Sequence, residues 1–164
     1  MRERSLRLSA AAARDIRRHG EETYPHECCG ALVGQAGEAT AAVPLSNTTE
    51  EGPRRRFLVR PSDYRLAERR ATELGGALLG FYHSHPDHPA RPSQYDLDHA
   101  WPTFAYVIVS VAGDARLPRR SGEAAKAGEV SVWFLKEDRS TFEEGTLHHG
   151  DENPDTDPAP AVHG

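Results

Sequence analysis

The chain has 164 residues, 37% of them hydrophobic and 27% charged, with a net charge of −5 at pH 7. That length suits one domain with a real core, and no stretch approaches the roughly 18 to 20 apolar residues of a membrane-spanning helix, so no membrane role is expected. The acid excess sits late, where residues 137–164 hold eight acids and one arginine; with no basic stripe elsewhere, nucleic acid is not an expected partner, and Arg54-Arg55-Arg56 reads as a solvated loop flank.

In chain order, Leu6 and Leu8 alternate with arginines as a short edge strand would, and Ser9 then caps an Ala-rich helix to about Glu22, which Pro25 ends. Early arginines precede no apolar run long enough for a signal segment, which predicts a cytoplasmic protein. Cys28 to Val33 and Ala39 to Leu45 are strands, joined through Gly34 to Gly37 as a hairpin. Cys28 and Cys29 are adjacent, which disfavours a disulfide, and lack C-x-x-C spacing, so they read as reduced, buried packing groups. Asn47 to Arg54 is a loop and Phe57 to Arg60 a brief strand; Pro61-Ser62-Asp63 opens a second helix that runs to Leu74 and stops at Gly75-Gly76.

Ala77 to His85 is apolar on both faces until its end, the pattern of a buried central strand. Ser93 to about Ala100 is a short helix, and the β-branched and aromatic run Phe104 to Val111 pairs beside the histidine strand. Gly113 to Gly128 reads as a surface loop, Val130 to Leu135 as a strand, and Arg139 to Phe142 as a shorter one. From Gly145 to Gly164, Gly, Pro, Asp and His dominate without periodicity, which predicts a disordered acidic tail after a domain of residues 1–144.

The chemistry concentrates at His83-Ser84-His85-Pro86 and, seven residues past Pro86, Ser93-Gln94-Tyr95-Asp96. Two imidazoles one residue apart on a strand face the same side, so both can reach one zinc at about 2.0 to 2.1 Å, and Asp96 can supply a third, oxygen ligand. Three protein ligands leave a fourth position for water, the arrangement of a hydrolytic rather than a structural zinc. Each half also has a plain reading. Ser93-x-x-Asp96 alone is a helix capping box, and the two histidines alone could be packed, hydrogen-bonded imidazoles. Both halves together favour the metal. His88, His99, His148 and His149 match no motif position and read as surface, helix and tail residues.

These residues resemble the JAMM (MPN-plus) zinc metalloproteases, whose motif is an upstream Glu followed by H-x-H-P and then S-x-x-D. His83, His85, Pro86, Ser93 and Asp96 supply the second part, and Glu27 in Glu27-Cys28-Cys29-Gly30-Ala31-Leu32-Val33-Gly34 matches the first. The resemblance covers roughly residues 5–143. It implies an α+β fold, a single domain with a curved mixed β-sheet flanked by helices, of cytidine-deaminase-like architecture. It further implies that His83, His85 and Asp96 hold Zn2+, that Glu27 is general base and then acid, and that Ser93 steadies the oxyanion.

By the same resemblance, the compact chain is similar to the prokaryotic branch. The expected activity is hydrolysis after the C-terminal Gly-Gly of a ubiquitin-like sulfur-carrier protein, releasing cysteine or a short extension. An isopeptidase acting on lysine conjugates is the alternative enzyme, and a non-catalytic MPN interaction module the alternative from another class. A zinc nucleobase deaminase would need H-x-E together with P-C-x-x-C, and no P-C-x-x-C occurs.

Overall fold

A computed structural model of the chain describes residues 4–46, 59–113 and 125–150. Its elements run β1 (Ser5–Leu8), α1 (Ala10–Thr23), β2 (Cys29–Gln35), β3 (Glu38–Leu45), α2 (Pro61–Glu73), β4 (Ala77–Pro86), α3 (Gln94–Asp98), β5 (Ala105–Gly113), β6 (Ala125–Leu135), β7 (Phe142–Glu144) and β8 (Thr146–His149). The strands form one mixed sheet in the order β7-β6-β5-β4-β2-β3-β1-β8. β4 lies near its middle, antiparallel to β2 and parallel to β5. This is the expected α+β architecture, a curved, nearly barrel-like sheet with a long helix on each side. Among the described residues no helix is long and apolar enough to cross a membrane.

Local chemistry explains the elements that position the site. Ser9 caps α1, its hydroxyl accepting from the Ala12 amide at 3.0 Å. The β2–β3 turn places Ala36 and Gly37 at φ 53° and 79°, the left-handed pair that a two-residue hairpin requires. Pro61 opens α2, and the Asp63 carboxylate accepts from the Arg60 amide at 3.0 Å.

Alternation along the strands divides the interior in two. Leu32, Tyr82, Val107 and Val109 face α1, where Ala13 and Ile16 pack. Ala31, Val33, Phe81 and Tyr106 face α2, where Ala67 and Ala71 pack. Each wholly buried Leu, Ile or Val contributes roughly 1.5–3 kcal/mol. Against β5, α1 comes so near that a Cβ on Gly20 would stand 2.9 Å from a Val111 methyl.

Several expectations need correction. The acidic tail does not begin at Gly145: Thr146–His149 is β8, paired in parallel with β1 from Ser5↔Thr146 to Leu8↔His149. β1 is therefore interior to the sheet, between β3 and β8. The handover occurs at Gly145, whose amide donates to Val132 O at 2.9 Å before Thr146 N donates to Arg4 O at 3.0 Å. A Cβ on Gly145 would lie 2.5 Å from the Phe134 ring and 2.7 Å from Arg4 O, so the corner needs glycine. β8 is held largely by backbone pairing, with Leu147 its one large apolar side chain, which is why hydropathy does not disclose it.

The expected loop from Gly113 to Gly128 is likewise too long, because β6 already starts at Ala125 and pairs with the end of β5. The third correction is smaller: the last short strand is Phe142–Glu144 rather than Arg139 to Phe142. The loop expected at Asn47 to Arg54, Phe57 and Leu58 of the brief strand, residues 114–124 and residues 151–164 lie outside the described residues; Val59 and Arg60 are not in a strand.

Candidate metal centre

The site forms where β4 runs out past its neighbours. His83 pairs with Cys29 of β2 and Ile108 of β5, and His85 with Ser110 of β5, so both imidazoles emerge on the α2 face of the sheet. α3 delivers the acid. Ser93 is its N-cap and Asp96 its third residue; the Asp96 amide donates to Ser93 Oγ at 3.1 Å, and the Ser93 amide donates to Asp96 Oδ2 at 2.9 Å. The capping box and the ligand cluster are one construction, since the oxygen that caps the helix also faces both histidines.

His83 Nε2, His85 Nε2 and Asp96 Oδ2 form a triangle with every side 3.2 Å. Atoms bound to one tetrahedral zinc at about 2.0 to 2.1 Å stand about 3.3 Å apart, so the triangle fits a single ion. The three residues are 1%, 7% and 6% exposed. The donor set supports the same conclusion. His85 Nδ1 lies 2.9 Å from the Pro89 carbonyl, which can only accept. Nδ1 therefore carries the proton, and in the neutral ring Nε2 turns a lone pair toward the cluster, the orientation a metal-binding imidazole needs.

The electrostatics show strong coupling within the triangle. Burial opposes the charge on Asp96, but His83, His85 and the Ser93 amide override it and hold the carboxyl well below the usual carboxylate range. Burial likewise works against the His85 cation; the hydrogen bonds to Asp96 and the Pro89 carbonyl, with the charges of Asp96 and Glu27, raise its pKa overall.

Glu27 sits in the segment entering β2, half-buried. The Cys28 amide donates to Ser84 Oγ at 2.8 Å, and the Ser84 amide donates to Cys28 O at 3.2 Å. These two bonds extend the pairing of Cys29 with His83 to Cys28 and Ser84, and the charge of Glu27, the next residue out, acts on His85. Ser93 is exposed. Its cap bond uses an acceptor lone pair, so the hydroxyl proton remains available to donate. His83, His85, Asp96 and Ser93 thus converge on one end of β4. Beside Ser93 opens a cleft of about 280 Å3, lined by Arg91, Gln94, Leu97, Trp133 and Phe142 among others.

Sequence reasoning missed the supports of the loop after β4. Asp87 adopts φ 60°. Its carboxylate accepts from the Tyr24 hydroxyl at 2.7 Å and the Gly113 amide at 3.0 Å, while its own amide donates to Val111 O at 2.7 Å. An acid two residues past His85 could have flagged a loop clamp, but a backbone carbonyl such as that of Pro89 leaves no trace in residue type. The histidines that match no motif position stay apart: His148 and His149 are exposed on β8, and His99 closes α3.

Two histidines and an aspartate placed so that they could share one ion, with a cleft alongside, are the donor set of a mononuclear metal hydrolase. Residues 9–122 match the family described as prokaryotic homologs of the JAB domain. A desampylase from Haloferax volcanii is 36% identical over 137 residues, 78% of this chain and 98% of that protein. A probable TtuB-protein conjugate cleaving protease from Thermus thermophilus is 32% identical over 99 residues, 60% of this chain and 66% of that protein. A Salinibacter ruber protein solved in solution superposes with a TM-score of 0.63 at 33% identity, covering 90% of this chain and 94% of that one. The chain belongs to the prokaryotic JAB-domain family, the JAMM metallopeptidases.

Proposed function

We propose that this protein is a zinc peptidase that hydrolyses the bond following the C-terminal Gly-Gly of a ubiquitin-like protein, with His83, His85 and Asp96 holding the zinc. The observation that supports the reading is the 3.2 Å triangle of His83, His85 and Asp96, with the charge of Glu27 acting on His85. Zinc, when bound, polarises the scissile carbonyl and lowers the pKa of water toward about 7. Glu27 accepts the proton of the attacking water and returns it to the leaving amine. Ser93 donates its hydroxyl proton to the carbonyl oxygen as that oxygen becomes negative. An extended glycine tail suits a site sunk at the end of a strand, because a side chain next to the reacting carbonyl would meet the walls.

Two leaving groups fit this chemistry. A sulfur-carrier substrate would release cysteine or a short extension, whereas a conjugate would release a lysine amine. The second reading is favoured by similarity to the Thermus protein, named for cleaving TtuB-protein conjugates. Incubating the zinc-loaded chain with a Gly-Gly carrier bearing a C-terminal cysteine, and with the same carrier joined to lysine, separates the two by mass spectrometry. Glu27→Gln is expected to keep its zinc and lose about 10²- to 10⁴-fold in rate on the preferred substrate. Intact substrates in both arms, or a Glu27→Gln variant as fast as wild type, would overturn the proposal.

A further inference from the structure

The loop leaving β4 is held in an orderly way that the cleavage chemistry does not itself require. Three consecutive carbonyls, those of His88, Pro89 and Ala90, each face a side chain from a different neighbouring strand. The Ser110 hydroxyl of β5 donates to His88 O at 2.6 Å, His85 Nδ1 of β4 to Pro89 O at 2.9 Å, and the Ser131 hydroxyl of β6 to Ala90 O at 2.5 Å. The strands are adjacent, and the register aligns them: His85 pairs with Ser110, and Ile108 with Ser131. Pro89 has no amide proton of its own. Its carbonyl also accepts from the Arg91 amide at 2.8 Å, and the carbonyls on either side of it are captured by Ser110 and Ser131.

Ser131 is an expensive residue to keep for packing alone. It is 5% exposed between Val130 and Val132, and an unpartnered hydroxyl there would cost about 1–3 kcal/mol. It is fully engaged: Trp133 Nε1 donates to its Oγ at 2.7 Å, which leaves the hydroxyl proton for Ala90 O. Ala90 itself is 1% exposed, packed with Ile108 and Trp133. The chain of contacts runs from the indole through Ser131 to the residue next to Pro89, and from Pro89 to the ring of a candidate ligand.

We propose that Ser110 and Ser131 are positioning residues for the metal centre: by bracketing Pro89 they keep its carbonyl on His85 Nδ1, hold that ring in the Nδ1-protonated tautomer, and so set zinc affinity. This rests on His85 being a zinc ligand. Losing partners that orient metal-bound histidines typically weakens a site about 10- to 100-fold. Ser131 acts one residue removed, so Ser131→Ala is expected to weaken zinc binding about tenfold, the low end of that range, measured against a competing chelator. Ser110→Ala works on the carbonyl at the other side of Pro89 and should act in the same direction, which keeps the proposal testable if Ser131→Ala does not fold. Ser131→Thr, which keeps a hydroxyl, should restore affinity.

The second measurement needs no metal. In the zinc-free protein, at a pH high enough that the imidazole ¹⁵N shifts no longer change, long-range ¹⁵N spectra should show His85 as a single Nδ1-protonated tautomer in wild type and as a mixture in both alanine variants. A folded alanine variant with wild-type zinc affinity and a wild-type His85 tautomer would overturn the proposal. A wild-type protein that binds no zinc would instead remove the metal reading, and the tautomer spectra would still decide the role of the two serines.

Discussion

β4 presents a buried histidine environment to each face of the sheet, and the two are built on opposite logic. Toward α1, Tyr82 meets His19 with its hydroxyl 2.8 Å from Nδ1 and the rings edge-on, 74° apart. Burial drives the phenol pKa upward, so Tyr82 keeps its proton, while burial lowers the His19 pKa against the opposing charge of Glu22. A neutral donor therefore meets a neutral acceptor, and the pair is complete. Toward α2, one residue further on, His83 joins His85 and Asp96, and three possible ligand atoms converge on one point instead of pairing off. A buried histidine is thus no sign of a site by itself; convergence of lone pairs is.

The sharpest way to break this comparison is His85→Ala. Two protein ligands remain, so zinc affinity should fall by well over the roughly 100-fold that losing an outer partner can cost, and peptidase activity should vanish. Elemental analysis of the purified variant checks it, and a full complement of zinc would refute the assignment. The opposite face gives the contrasting result. Leu147 of β8 packs against the cluster beneath α1 and is only half-buried. Leu147→Ala should cost about 1–2 kcal/mol, below the 2–5 of a fully buried leucine, lowering the melting temperature by about 5 °C. Its zinc content should not change.

How far these two faces were legible in the sequence differs for physical reasons. The apolar run of β4, the serine cap of α1 and a hairpin connection within Gly34 to Gly37 follow from local preferences, so those elements were readable in order. The His83, His85 and Asp96 cluster was readable because strand period and a helix cap fix where side chains point. β8 was not, since its pairing with β1 depends on a partner more than a hundred residues away and on backbone groups every residue carries. The start of β6 was hidden likewise, in a stretch with little apolar content. The serines and carbonyls around Pro89 gave no warning because a backbone acceptor has no residue type.

A smaller effect separates the two histidine environments directly. Tyr82→Phe deletes the hydroxyl opposite His19 and leaves the ring in place over Gly30, where a Cβ would lie 2.2 Å from that ring. The loss should be about 1 kcal/mol, one neutral hydrogen bond, and roughly 3 °C in melting temperature. Zinc stoichiometry and cleavage rate should match wild type. A variant that also lost metal would show the two faces to be coupled through the strand, contrary to the separation argued above.

The least effect is expected at the two cysteines, which divide between the same faces. Cys28 packs on the α1 side and Cys29 on the α2 side, both buried and unbridged. Cys29 comes close to the metal cluster in register, yet its thiol points at the carbonyls of Leu45 and Ser46, at 3.6 and 3.7 Å. Burial pushes the Cys28 thiol up to about 11 and the Cys29 thiol higher still. Only thiolate is reactive, and each unit above an ordinary thiol removes about tenfold of it. At about pH 8 the folded protein should therefore take up iodoacetamide at least about 100-fold more slowly than free cysteine, with the rate climbing only as pH approaches 11. Removing zinc should not change that rate, because neither sulfur belongs to the triangle. Rapid labelling of Cys29 in the zinc-free protein alone would place that thiol among the ligands and redraw the α2 face.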